Sequence, residues 1–499
     1  MKPKLINSPF RKQAFGAFLV TTIAVCLSEV SQAQTDNLWT GSVSSSWDTD
    51  ENWNQGVVPT KLGNFHATIN TDSPFIATIS ESIQAPVDII IGTGVGSNGR
   101  VDHTGGEAST GDGNWMFVGR NGGMGIYNLA DTAGSGGSFT GYGIGSGKMI
   151  VNGALYIGGT DGAAGSNGIV NINTNSDVSL AVNGRFQVGT NSSQGTLNLD
   201  NGSITTTEWT EFGNGVGCTG TLNMSGGSIA KNGNDHMGIG ANGGTGVANI
   251  TGGTISINNE LWVGQGGGSN GTINLSNGTI NIGSWVNIGR AGGTGTLNLS
   301  GGVINAGPNG DAFTVGDQDN STGNLVQTGG ELNISNQFWV GSGGGTNNGQ
   351  YTMSGGNLNV NEWIAIGRGG LGEFNMSGGT FTKTGDGTAL IVGSAGTGTF
   401  NQTGGLVNVV AGETWMGENG SGYYTLDGAS AEFRTQYFQV ARNESSNFTV
   451  NLNDGILLVN QIAGGTGNAT VNFNGAQVVA RSSQTAFIDG LDTAEIGTG

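Results

Sequence analysis

The chain has 499 residues, among them 99 glycines and six prolines, and a formal charge of −19. Glycine at about a fifth of the chain, without a G-X-Y period and with almost no proline, excludes collagen. Hydrophobic residues make up 35% at regular spacing, which argues against simple disorder, and the acidic balance argues against nucleic acid or an anionic membrane surface as a partner.

Residues 1–33 read as a secretory signal peptide. Lys2, Lys4, Arg11 and Lys12 form its basic region, and Ala14 to Leu27 its apolar region, too short for a good membrane span. Ser31-Gln32-Ala33 offers small residues at both key positions of a cleavage site. Cleavage after Ala33 would leave a net charge of −22 and no transmembrane segment. The residues before Cys26, Ile23-Ala24-Val25, make a poor lipoprotein site. The mature chain then keeps Cys218 alone, so no internal disulfide can form and stability has to come from packing. Cys218 reads as a loop or core thiol.

Residues 34–95 differ from the rest. Trp39, Trp47 and Trp53 fall within fifteen residues, followed by Val57-Val-Pro-Thr60 and apolar runs at 67–69, 76–79 and 87–91. A stack of repeats needs an atypical first unit to close its open end. This segment is therefore expected to be an aromatic-rich N-terminal cap, with a separate carbohydrate-binding module as the alternative.

Residues 96–480 carry a repeat, irregular at first. Its clearest copy is Gly295-Thr-Leu-Asn-Leu-Ser-Gly-Gly-Val-Ile-Asn-Ala306, followed by Ala312-Phe-Thr-Val-Gly316. The second residue of each Gly-Gly or Asn-Gly turn falls at Gly202, Gly227, Gly253, Gly278, Gly302, Gly330, Gly356, Gly379 and Gly405, in steps of 23 to 28 residues. Such a period is the signature of a solenoid. Leu297 and Leu299 flank the polar Asn298, which is the strand period. A second apolar segment (Ile280, Ile304, Leu332) follows the glycine bend, and a third ends in V-G or I-G (Val263, Ile288, Val315). The predicted fold is all-β: a parallel β-helix of three-strand coils, about 25 residues each, with fourteen or fifteen coils stacked at about 4.8 Å. Asn198, Asn223, Asn249, Asn274, Asn298, Asn375 and Asn401 should then form a ladder of stacked amides with a structural role. Residues 481–499 read as an incomplete coil or tail.

The other seven tryptophans all lie in the third segment of their coils. Trp115, Trp209, Trp285 and Trp363 stand three residues before the inward aliphatic; Trp262, Trp339 and Trp415 stand one before it. Odd offsets place all seven on the face opposite the core. They form a candidate aromatic stripe for stacking on sugar rings or docking a partner. The bland readings are that a loop covers them or that the parity is inverted. Arg120, Arg290, Arg368 and Arg442 follow the closing V-G, I-G or V-A step at the edge of the stripe, where the plain expectation is solvated turn residues.

Catalytic chemistry is not read anywhere. His66, His103 and His236 lack metal-ligand spacing, and neither a G-x-S-x-G elbow nor an H-E-x-x-H motif occurs. The acids look scattered rather than clustered on one face, as a polysaccharide-cleaving β-helix would need. Asp311, Asp317 and Asp319 with Asn320 read as a surface loop rather than a calcium site. No catalytic residue, metal or cofactor is therefore expected.

Trp39-Thr-Gly41, Trp47, Asn52-Trp53 and Pro59-Thr60, together with the repeated L-N-L-S-G-G-x-I, resemble secreted bacterial β-helix repeat proteins of the autotransporter-associated strand-repeat type. Relatives of that type include surface proteins with a C-terminal PEP-type sorting signal; here neither an outer-membrane barrel nor a sorting segment is read after the repeats. The resemblance implies an extracellular, cell-surface, structural or adhesin-like role without enzymatic activity. Extracellular polysaccharide or other surface proteins are the expected partners. The alternative is a β-helix that binds or degrades carbohydrate.

Overall fold

The structure is a computed structural model that describes residues 33–133, 139–159, 164–307 and 311–497. The expected signal peptide, residues 1–33, lies outside them except for Ala33. Residues 34–499 form one unit, a β-solenoid of about seventeen turns with three strands per coil. Each coil gives one strand to each of three parallel sheets. Sheet one holds the G-x-L-N-L segments, sheet two the segments after the Gly-Gly bend, and sheet three the closing triplets.

Among the described residues sheet three has 18 strands, sheet one 17 and sheet two 15. Two or three more coils form than the fourteen or fifteen expected. The extra ones lack the Gly-Gly signature. Thr35–Leu38, Phe65–Ile69 and Ile89–Thr93 already pair in parallel at the start of sheet three. Ile488–Asp489 and Thr493–Ile496 continue sheets three and one at the other end. Between these ends the register is residue for residue: Thr219–Met224 pairs with Thr245–Ile250, which pairs with Asn270–Leu275.

Alternation decides which side chains go in. In sheet one Leu222, Ala248, Ile273 and Leu297 stack in one buried column, Met224, Ile250, Leu275 and Leu299 in the next. Ile229, Ile255 and Ile280 of sheet two and Ile239, Val263 and Ile288 of sheet three complete the core. Each such aliphatic removed from water stabilises the stack by about 1.5–3 kcal/mol. Further along, aromatics take over the column. Tyr351 and Phe374 stack at 4.5 Å and Phe374 and Phe400 at 4.7 Å, which matches the strand spacing of about 4.8 Å. Two polar residues interrupt these columns and are satisfied from the next coil: Tyr351 Oη donates to Gln327 Oε1 at 2.5 Å and Tyr424 Oη to Gln402 Oε1 at 2.9 Å. Lys383 is also buried; its ammonium donates to the carbonyls of Gly385 and Ala411 and to Thr388 Oγ1. Burial lowers its pKa to about 8.

In the regular coils two glycines form one corner. Gly264 lies near the end of a sheet-three strand at φ +69°, and a Cβ there would overlap the Thr294 carbonyl in the second sheet-one strand after it. Gly271 faces it, and its Cβ would overlap Gly264 N and the Ile239 carbonyl. In these coils the backbones approach too closely at the corner for a side chain, which explains why V-G and G-x-L recur together. Toward the end of the stack Ala441 and Phe448 take the two positions.

Outside sheet one runs the amide ladder, longer at its start than expected. Asn128 Nδ2 donates to Asp102 Oδ1 at 2.7 Å, and Asn171, Asn198, Asn223, Asn249, Asn274 and Asn298 each donate to the preceding amide oxygen at 2.7–3.0 Å. Every amide points its N–H toward Asp102, whose carboxylate is also held bidentately by Arg100. The ladder stops where Val326 follows Asn298. Asn375 and Asn401 form a separate short run ending on Glu373. A second ladder, Asn281–Asn305–Asn333–Asn359, runs along sheet two.

At the start of the stack Trp39, Trp47 and Trp53 pack edge to face, with ring centres 5.1 and 4.9 Å apart, inside the main core. Cys218 is buried, with Sγ 2.7 Å from the Gly215 carbonyl, and burial raises its pKa to about 11.

Candidate functional site

The outer face of sheet three carries the seven remaining tryptophans. Their inward neighbours Val118, Phe212, Val263, Ile288, Val340, Ile366 and Met416 belong to the main core, and the tryptophans do not. Trp115 and Trp209 are exposed by 42% and 40%, Trp262, Trp285 and Trp363 are half-buried, and Trp339 and Trp415 are 8% exposed. What buries the last two is the stripe itself rather than a covering loop. Trp285 and Trp339 meet edge-on at 5.6 Å, Trp363 and Trp415 at 5.5 Å. Trp209 and Trp262 are joined through His236, whose ring lies 5.6 Å from the first and stacks on the second at 3.7 Å. Around Trp115 the partners are Phe117 and Tyr156.

The arginines are not simple turn residues. Arg290 lies over Trp262 at 4.7 Å, Arg368 over Trp339 at 3.4 Å and Arg442 over Trp415 at 3.5 Å; Arg120 covers Phe117 and Arg185 covers Trp209. A guanidinium that stays charged gains more over an indole face than in water alone, about 0.5–2 kcal/mol per pair. The sequence expectation missed this because each tryptophan and its arginine sit in neighbouring coils, about 28 residues apart for Trp262 and Arg290.

Carboxylates fix the indoles. Trp262 Nε1 donates to Glu260 at 2.6 Å, Trp415 Nε1 to Glu413 at 2.6 Å and Trp209 Nε1 to Asp235 at 2.7 Å. Glu211 is buried and bonded by Gln187, Asn214 and His236. Six acids that look scattered along the sequence, Glu211, Asp235, Glu260, Asp317, Asp386 and Glu413, are thus gathered on this face by stacking.

Three open grooves result. One of about 410 Å³ surrounds Trp209 and Trp262 with Glu211, Asp235 and Glu260. A second of about 410 Å³ lies between Trp285 and Trp339 with Arg290, Asp317 and Arg368. The third, about 730 Å³, lies between Trp363 and Trp415 with Asp386, Glu413 and Arg442. Rings, carboxylates and guanidiniums together offer stacking surfaces, acceptors and donors to a polyhydroxylated ligand.

The other chemistry-bearing residues do not converge. His66 pairs with Asp88 at 3.1 Å. His103 is buried, with Nδ1 2.6 Å from Tyr127 Oη, and burial lowers its pKa to about 4. Asp311 accepts from Ser284 at the margin of sheet three. Among the described residues no group of three or more His, Cys, Asp or Glu side chains could hold a metal ion, and no helix is long and apolar enough to cross a membrane. No protein-family model, curated protein or solved structure matches the chain.

Proposed function

We propose that the chain is a secreted or cell-surface β-solenoid of the autotransporter-associated repeat kind, a structural and adhesin-like scaffold without catalytic activity. The observation that carries this reading is the outer face of sheet three, where seven tryptophans and their arginines are built onto a rigid stack yet kept out of its core. Aromatic residues placed in this way are costly unless something uses them. The basic-then-apolar N-terminus and the single mature cysteine support export. The carboxylates of the face hold indoles and amides rather than pairing as acid and base, which supports binding over cleavage.

Expression of the full chain with its N-terminus intact, followed by fractionation, tests the reading. The account expects protein lacking residues 1–33 in the medium or on the cell surface, and adhesion of those cells to an extracellular matrix that weakens on Trp285→Ala with Trp339→Ala. Retention of the uncleaved chain in the cytoplasm would overturn it.

A further inference from the structure

Stacking reveals an order that the single-coil repeat hides. Trp115, Trp209, Trp285, Trp363 and Tyr437 each stand at the start of every third strand of sheet three, counted through the parallel pairings from Met116–Arg120 to Tyr437–Val440. Trp262, Trp339 and Trp415 occupy one register column, again every third strand. Between them that column holds Asn287 and Thr314, then Ala365 and Ile391. Arg290, Arg368 and Arg442 stand at or just beyond the far ends of the strands Val286–Arg290, Ile364–Ile366 and Tyr437–Val440, whose near ends carry Trp285, Trp363 and Tyr437. Each covers the indole of the coil before. Two residues before the mid-strand tryptophans stand Glu260, Gln337 and Glu413.

The core does not require this period. Inward columns repeat every coil, whereas the outer face repeats every three. A period confined to the solvent side, and shared by rings, cations and acceptors together, points to something outside the chain that has the same spacing. Three coils at about 4.8 Å give about 14 Å.

We propose that the three grooves are successive subsites, about 14 Å apart, for one neutral linear polysaccharide lying along the stacking direction. This rests on the surface-binding reading above and names its ligand. Linearity follows from the collinear grooves. Neutrality follows from charge: Glu211, Asp235, Glu260, Asp317, Asp386 and Glu413 line the grooves against Arg290, Arg368 and Arg442, on a chain of −19. An acidic polymer would be repelled. Carboxylates bonded once keep acceptor capacity for sugar hydroxyls, and the indole pairs supply ring faces. A chain that spans several subsites gains avidity, on the order of a hundredfold or more over one subsite.

Titration calorimetry of the full mature chain with a length series of linear β-glucan oligosaccharides, and with the soluble polymer, tests this. Affinity should rise in steps as the oligosaccharide reaches a second and then a third groove. Trp285→Ala with Trp339→Ala should remove the middle subsite. Polymer binding should then weaken about tenfold or more, while short oligosaccharides lose a third of their binding stoichiometry and far-UV dichroism is unchanged. Arg368→Ala, which leaves the rings in place, should act in the same direction if the double variant does not fold. Affinity independent of length, equal binding of polygalacturonate, or no glucan binding at any length would overturn the proposal. Glucan binding absent while cells still adhere through Trp285 and Trp339 would sink the subsites and leave the surface reading standing.

Discussion

Asn223 sits in the middle of the amide ladder, and its replacement by alanine isolates what the ladder contributes. Its Nδ2 donates to Asn198 Oδ1 at 2.9 Å and its Oδ1 accepts from Asn249 at 3.0 Å. Asn223→Ala removes both bonds and leaves an amide oxygen and an amide N–H beside it unmatched. One hydrogen bond contributes about 0.5–1.5 kcal/mol net. Because Asn223 is half-buried, water reaches the orphaned groups in part, so the lower half of that range applies to each and the pair sums to about 1–2 kcal/mol. Asn298 makes one ladder bond, to Asn274, because Val326 follows it. Asn298→Ala should therefore cost about half as much, roughly 0.5–1 kcal/mol. A long repeat array does not unfold in one step, so the assay is native-state hydrogen exchange of the amides in Thr219–Met224 and Thr294–Leu299. Local exchange should accelerate about five- to thirtyfold for the inner variant and only a few-fold for the outer one. Equal effects, or no effect of Asn223→Ala, would show that the amides are merely parallel and that the aligned chain ending at Asp102 carries no stability.

Two further perturbations follow from buried groups and from the corner. His103 has a pKa near 4 when folded, below the ordinary value of 6.5. Between those values the unfolded chain takes up a proton that the folded chain refuses, so stability falls as pH drops from about 6.5 to about 4, by about 3 kcal/mol in all. His103→Gln should flatten that slope in native-state hydrogen exchange of Asn98–His103, corrected for the intrinsic pH dependence of exchange; a slope parallel to the unaltered chain's would refute it. Gly264→Ala should cost several kcal/mol through backbone overlap at the corner, whereas Gly266→Ala, with only distant neighbours but φ +89°, should cost less. Comparable losses of native-state hydrogen-exchange protection in Leu261–Gln265 for the two would contradict the corner's role.

The fold was legible because its signal is local and repeated. Leu297-Asn-Leu299 states the strand period, Gly301-Gly302 the bend and Val315-Gly316 the corner, and all recur over many coils. The outward placement of Trp285 and Trp339 follows from counting to Ile288 and Val340. The coils within residues 34–95 read as a cap because Thr35–Leu38 pairs through its backbone without the glycine signature, whereas the partial coil at 481–499, ending in Thr493–Ile496, is expected from the sequence. The site was half legible. The rings could be read from one coil, but the stacked arginines, the gathered carboxylates and the three-coil period depend on register between residues about 76 apart, such as Trp209 and Trp285. Aligning the chain in three-coil blocks would have found them. The buried pairs Gln327–Tyr351 and Gln402–Tyr424 were readable in the same way, as polar breaks in one column matched by a phenol one coil later.

The core columns, the amide ladder and the aromatic face all require successive copies to lie directly on one another. Thr219, Asn270, Thr397 and Asn468 occupy one register position in sheet one, two, seven and ten coils from the first, and all are exposed. Spin labels at Thr219→Cys paired with Thr397→Cys or Asn468→Cys, in a Cys218→Ser background, measure the stack by electron–electron dipolar spectroscopy. The account predicts about 34 Å and about 48 Å, a constant 4.8 Å per coil. Distances that fail to grow in proportion to the number of coils would contradict the stack, and with it the aromatic face built upon it.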